Sequence, residues 1–173
     1  PTEDGTWRLP EGKAYYEALL ANYTTTDMTA AQIHDLGLSE VARIHGEMKA
    51  IMAKVGFKGT LQQFFVHLRT SPQYFHTTRE DYLAEVDAHV KAMEARLPAF
   101  FNTLPKAPLQ VKAVEAFREK SAGKAFYQSP SPDGSRPGTY YVNLYDLRDM
   151  SKTELEALAY HEGIPGHHLQ RAV

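Results

Sequence analysis

The stretch Tyr160-His161-Glu162-Gly163-Ile164-Pro165-Gly166-His167-His168-Leu169-Gln170 decides how the rest of the chain is read. Three imidazoles and a carboxylate fall within eight positions, His161 to His168. Neutral imidazole nitrogen and carboxylate oxygen are common zinc donors, so this is the composition of a metal site. A His-Glu pair opening the cluster is similar to the zinc-hydrolase helix motif. There, two histidines four residues apart bind the ion and the glutamate activates water. Here the fourth residue after His161 is Pro165, not histidine. Histidines beside a Pro-Gly turn also occur as plain helix ends. Three histidines, an adjacent glutamate and two glycines around Ile-Pro together favour the metal reading.

Helix geometry sets the terms for the ligands. On an unbroken helix, His161 and His167 stand about 120° apart around the axis and cannot share an ion. Pro165 removes an intrahelical donor and collides with the preceding turn, while Gly163 and Gly166 permit unusual dihedrals. The segment is therefore expected to bulge outward. Removing two residues into the bulge restores the four-residue spacing between His161 and His167. Glu162 then serves as general base. His168 offers a rival: seven residues from His161, it returns to the same face, but about 10 Å further along the axis, too far for one zinc. The geometry favours His161 and His167 as ligands, with His168 supporting them or facing substrate, and the sequence does not close the choice between His167 and His168.

Upstream of this cluster, Ser151-Lys152-Thr153-Glu154 is a capping box that starts the helix carrying Leu155, Leu158 and His161. Before it, Gln110–Phe117, Lys124–Gln128 and Thr139–Tyr145 are candidate strands, the last being the best in the chain, while Val111, Val114 and Phe117 in the first are also spaced for a helix. The turn-rich residues 129–138 between the last two suit a long hairpin. Residues 1–107 read as a helical scaffold. A helix follows Pro10; a short one is capped by Thr29 and expected to stop near Gly37; another carries Val41, Ile44, Met48, Ile51, Met52 and Val55. Thr60 caps a further helix. Thr77-Thr78-Arg79-Glu80 opens what is expected to be the longest, with Tyr82, Val86, Val90, Met93 and Leu97 as its buried stripe. The fold class expected is mainly α with a small antiparallel sheet, α+β. Residues 108–173 would then hold the sheet and the metal-motif helix.

Composition narrows the function classes. The chain has 173 residues, 43% hydrophobic and 23% charged, with a formal charge of −2. That charge gives no electrostatic footprint for nucleic acid. No apolar run approaches the roughly 20 residues of a membrane-spanning helix. Without cysteine there are no thiolate ligands, so His, Asp or Glu must hold any metal. The absence of cysteine does not fix the compartment, which stays open between cytoplasm and export. A first residue of Pro1 and no signal peptide lead us to expect a processed chain or a piece of a longer one.

The sequence resembles the DUF885 family of bacterial proteins, themselves similar to thermolysin-type and oligopeptidase-type zinc peptidases (gluzincins). The resemblance rests on Pro137-Gly138-Thr139-Tyr140-Tyr141-Val142-Asn143 followed by His161 to Gln170. Upstream it rests on Trp7-Arg8-Leu9-Pro10-Glu11-Gly12 with Tyr15-Tyr16, on Tyr23-Thr24-Thr25-Thr26 and on Ile33-His34-Asp35-Leu36-Gly37-Leu38. It implies a helical peptidase fold and a zinc-dependent hydrolase acting on peptide bonds, with short peptides favoured. An edge strand pairing with extended substrate is implied too, here Gly138–Leu144, with Asn143 and Tyr141 as substrate-contact candidates. Family members are several hundred residues long. The third zinc ligand is therefore expected from a glutamate beyond residue 173, the partners being peptide and the remainder of the parent polypeptide. The 173-residue chain alone is expected to be inactive. Two other classes remain: a metal-dependent hydrolase of non-peptide amides or esters, and a non-catalytic binding protein with a structural or vestigial metal site.

Overall fold

The computed structural model describes residues 5–173. They form α1 (Gly12–Thr24), α2 (Ala30–Lys54), α3 (Leu61–Thr70), α4 (Arg79–Glu94), β1 (Leu109–Ala113), β2 (Ala125–Gln128), β3 (Gly138–Val142), α5 (Lys152–Glu162) and α6 (His167–Ala172). The architecture is mostly helical with one small sheet, the α+β class expected. The chain divides into two compact units, one ending at Phe64 and the other Phe65–Val173. No helix among the described residues is long and apolar enough to cross a membrane.

In the first unit, the Thr29 hydroxyl accepts from Gln32 N at 3.2 Å, and the Gln32 side chain accepts from Thr29 N at 2.8 Å. This reciprocal box starts α2 as expected. The helix does not stop near Gly37. It runs on to Lys54, the longest in the chain, because an isolated glycine costs only about 1 kcal/mol and does not break a helix. Only Met52 of its apolar stripe is buried; Val41, Ile44, Ile51 and Val55 are exposed. Thr60 and Gln63 repeat the capping box at the head of α3.

The second unit has its core between the sheet and two helices. Tyr82, Val86 and Val90 of α4 and Leu155 and Ala159 of α5 pack with Tyr140 and Val142 of β3. The 4-residue spacing on each helix and the 2-residue spacing on the strand place these side chains on single faces. Thr78 caps α4 by accepting from Asp81 N. Ser151 caps α5 by accepting from Thr153 N, while Glu154 turns away to Lys124 at 2.8 Å, so the box expected there is not closed.

The sheet is mixed, not antiparallel throughout. Its order is β1-β3-β2: β2 pairs antiparallel with β3, and β1 pairs parallel with it. The chain reverses after β1 and again after β2, and β3 then inserts between them, so it must run parallel to β1. This corrects a second expectation. With both edges of β3 hydrogen-bonded inside the sheet, its backbone has none left for an extended substrate.

Candidate metal centre

Helix α5 ends at Glu162 and α6 begins at His167. Between them, Gly163-Ile164-Pro165-Gly166 form a turn containing a cis Ile164–Pro165 bond. The amide of Gly166 donates to the carbonyl of Tyr160 at 2.8 Å. In an α-helix that carbonyl would receive the amide of residue 164. Gly166 therefore stands where residue 164 would, and two residues are looped out. His167 takes the place four after His161. The close return requires glycine: a Cβ on Gly166 would lie 1.9 Å from the His161 carbonyl oxygen.

The looped-out turn brings the imidazole rings of His161 and His167 to 4.9 Å between centroids, nearly perpendicular. Nε2 of His167 lies 3.7 Å from Oε2 of Glu162. One donor atom from each of His161, Glu162 and His167 lies within 4.8 Å of the other two. Two donors each about 2.1 Å from a tetrahedral zinc stand about 3.4 Å apart. The present spread of up to 4.8 Å would close by up to about 1.4 Å, a movement that side-chain rotation supplies, and the donor types are ones that zinc accepts. His161 is exposed, while His167 and Glu162 are half-buried. Glu162 follows Leu155 and Ala159 at spacings of four and three, so a carboxylate ends the apolar stripe of α5. Its charge reaches Tyr140, whose phenol is pushed up by burial first, then by Tyr82 and Glu162. The Tyr140 hydroxyl is buried without a hydrogen-bond partner. Tyr82, beside it in the core, is pushed up to about 12, again by burial.

His168 has a different place. It is 1% exposed. Its Nε2 lies 3.0 Å from the Ala107 carbonyl oxygen and its Nδ1 2.9 Å from the Tyr127 hydroxyl. A carbonyl only accepts, so Nε2 carries the hydrogen and Nδ1 accepts from tyrosine. Burial holds this imidazole below its ordinary pKa, in keeping with a neutral ring. Both nitrogens are engaged by protein, which leaves His167 as the histidine that joins His161.

Tyr141 and Asn143 are not brought to the cluster. Strand alternation turns Tyr141 to the sheet face opposite Tyr140, where it stacks on Phe126 at 4.9 Å beneath the Arg118 guanidinium. Asn143 Nδ2 donates to the carbonyls of Glu119 and Ala122 at 2.8 and 3.0 Å, and its Oδ1 accepts from Tyr145 N. That amide ties the β1–β2 connection to the end of β3. Other carboxylates nearby in sequence are also engaged: Glu156 with Tyr160, and Asp146 with Arg148, which holds Asp146 down at about 2. Sequence reading missed Tyr127, Tyr140 and Gly138. Tyr127 and Tyr140 are direct partners in the hairpin and so point to one face, but a long connection leaves that register open in sequence.

A family model described as "Bacterial protein of unknown function (DUF885)" matches residues 1–173. A crystal structure of "the putative lipoprotein from Colwellia psychrerythraea" is similar, 35% identical with a TM-score of 0.82, over 98% of this chain and 30% of that one. The present chain thus spans less than a third of the solved chain it matches. No curated protein matches it.

Proposed function

We propose that this chain, which belongs to the DUF885 family of bacterial proteins, carries the His-Glu-His part of the centre of a zinc-dependent hydrolase of peptide bonds. One observation carries the reading. The Gly166-to-Tyr160 hydrogen bond loops out two residues and leaves donors of His161, Glu162 and His167 within 4.8 Å of one another. A zinc ion held there supplies Lewis acidity, polarising a carbonyl and lowering the pKa of water toward about 7.

The residues divide the work. His161 and His167 would hold the ion through imidazole nitrogens. Glu162 takes the proton of the attacking water and passes it to the leaving amine. Its place on the sheet-facing side of α5 keeps it mostly out of solvent and close to His167. Catalytic zinc generally has three protein ligands. We assign the third to a carboxylate outside residues 1–173, since Glu154, Glu156 and Asp146 are paired elsewhere. In the order β1-β3-β2 both outer strands pair only with β3, and we assign strand addition by an extended peptide to the outer edge of β2, whose Tyr127 lies against His167.

The test uses the full-length protein on a library of short peptides, with and without chelator, beside Glu162→Gln. Cleavage should need metal, and the variant should retain zinc while losing about 100-fold or more in rate, as expected of a general base. Cleavage by Glu162→Gln at the wild-type rate would remove the base role. Cleavage indifferent to chelator would remove the metal.

A further inference from the structure

We propose that Tyr127 is a positioning residue of the metal centre: bonded to His168 and laid against His167, it fixes the direction of the His167 imidazole. The proposal rests on the metal-binding reading above.

Helix α6 has six residues, and Gly166 at its start offers no side-chain cap. The Gly166-to-Tyr160 and His168-to-Gly163 backbone bonds join α6 to the turn, but so short a helix is a costly nucleus with few bonds of its own. Its rotation decides whether His167 faces His161. The sheet adds a second hold on that rotation. His168, the next residue, is clamped at both ring nitrogens, by the Ala107 carbonyl just before β1 and by the Tyr127 hydroxyl on β2. The third strand closes over this clamp. A Cβ on Gly138 would fall 2.4 Å from His168 Nδ1 and 2.6 Å from the Tyr127 oxygen, so only glycine lets β3 pass there. Strands β2 and β3 and the segment leading into β1 thus converge on one buried imidazole.

Tyr127 adds a second contact. Its ring lies 6.1 Å from that of His167 at an interplanar angle of 29°, while it meets His168 nearly edge-on at 5.8 Å. One side chain therefore restrains neighbouring histidines: His168 through a hydrogen bond, His167 through a face. Groups hydrogen-bonded to a ligating histidine commonly carry about a 10- to 100-fold effect on affinity; Tyr127 holds its ligand by a ring contact and through the neighbouring His168, so its effect is expected at the lower end of that range.

The experiment compares wild type, Tyr127→Phe and Tyr127→Leu in the full-length protein. Zinc affinity is read by competition with a coloured chelator, and ligand geometry by the visible spectrum of cobalt(II) placed in the site. Thermal melting of the metal-stripped proteins reports folding separately. Tyr127→Phe keeps the ring and loses the hydroxyl; it should weaken zinc by about 10-fold and alter the cobalt bands. Tyr127→Leu, which loses both contacts, should weaken zinc further. A Tyr127→Phe protein with wild-type affinity and spectrum, whatever its melting temperature, overturns the positioning role and leaves the metal centre standing. Wild-type protein that takes up neither zinc nor cobalt overturns both.

Discussion

Replacing Gly166 with alanine tests the looped-out turn at its narrowest point. The new Cβ would stand 1.9 Å from the His161 carbonyl oxygen and 2.4 Å from that of Tyr160, where real Cβ atoms essentially never come within 3.0 Å. Both obstacles are backbone, so no side chain can rotate aside. One segment must give by about 1 Å, which takes the Gly166-to-Tyr160 hydrogen bond from its present 2.8 Å out of range. Losing that bond costs about 1 kcal/mol net, and up to about 3 if a polar group is left without a partner. With residual backbone strain of about 1 kcal/mol, the expected destabilisation is about 2 to 4 kcal/mol. The same shift carries His167 away from His161. Zinc affinity should therefore fall by more than about 100-fold, beyond what loss of an outer partner gives.

Urea unfolding of the full-length protein measures the first effect, and chelator competition the second. Gly46→Ala is the control. Gly46 lies within α2 with nothing within 4 Å of an added Cβ, so that change should stabilise by up to about 1 kcal/mol and leave zinc untouched. A Gly166→Ala protein within about 0.5 kcal/mol of wild type, binding zinc equally well, would mean that the turn does not close as described.

Tyr140→Phe removes a buried hydroxyl that has no hydrogen-bond partner; stability to urea should stay level or rise by up to about 1 kcal/mol, and a loss larger than that would reveal a partner. Asn143→Leu leaves the Glu119 and Ala122 carbonyls without their donor and should cost about 2 kcal/mol with zinc affinity unchanged; an equally large fall in zinc binding would return Asn143 to the site.

What could be read in advance followed from local rules. Thr29, Thr60, Thr78 and Ser151 all cap helices because hydroxyl-to-amide bonding is decided within three residues. The stripe Tyr82, Val86, Val90 is buried because helical spacing forces those side chains onto one face. The two-residue loop before His167 was legible because proline excludes a regular helix and glycine allows a close return. The misreadings were nonlocal. That β3 is the central strand depends on insertion between strands whose connections span some ten residues each, and nothing in 129–138 specifies it. Tyr141 and Asn143 face substrate only if β3 is an edge, and β3 is the central strand. Tyr127 has no local signal, because only the hairpin register that pairs it with Tyr140 places it.

Rule-breaking residues mark the centre more sharply than conforming ones do. Leu155 and Ala159 predict an apolar residue at the next position on the α5 stripe, and the chain has Glu162 there. Tyr140 and Val142 predict a fully apolar strand face, and the chain leaves a phenol hydroxyl buried and unpaired. Each choice opposes stability, since a carboxylate near a core and an unsatisfied hydroxyl both cost free energy. They are not independent: the Tyr140 phenol feels the Glu162 charge. A fold selected for stability alone would carry leucine and phenylalanine at these positions. Glu162 and Tyr140, together with a helix break that turns His167 toward His161, are the departures from local consistency that the proposed metal chemistry would account for.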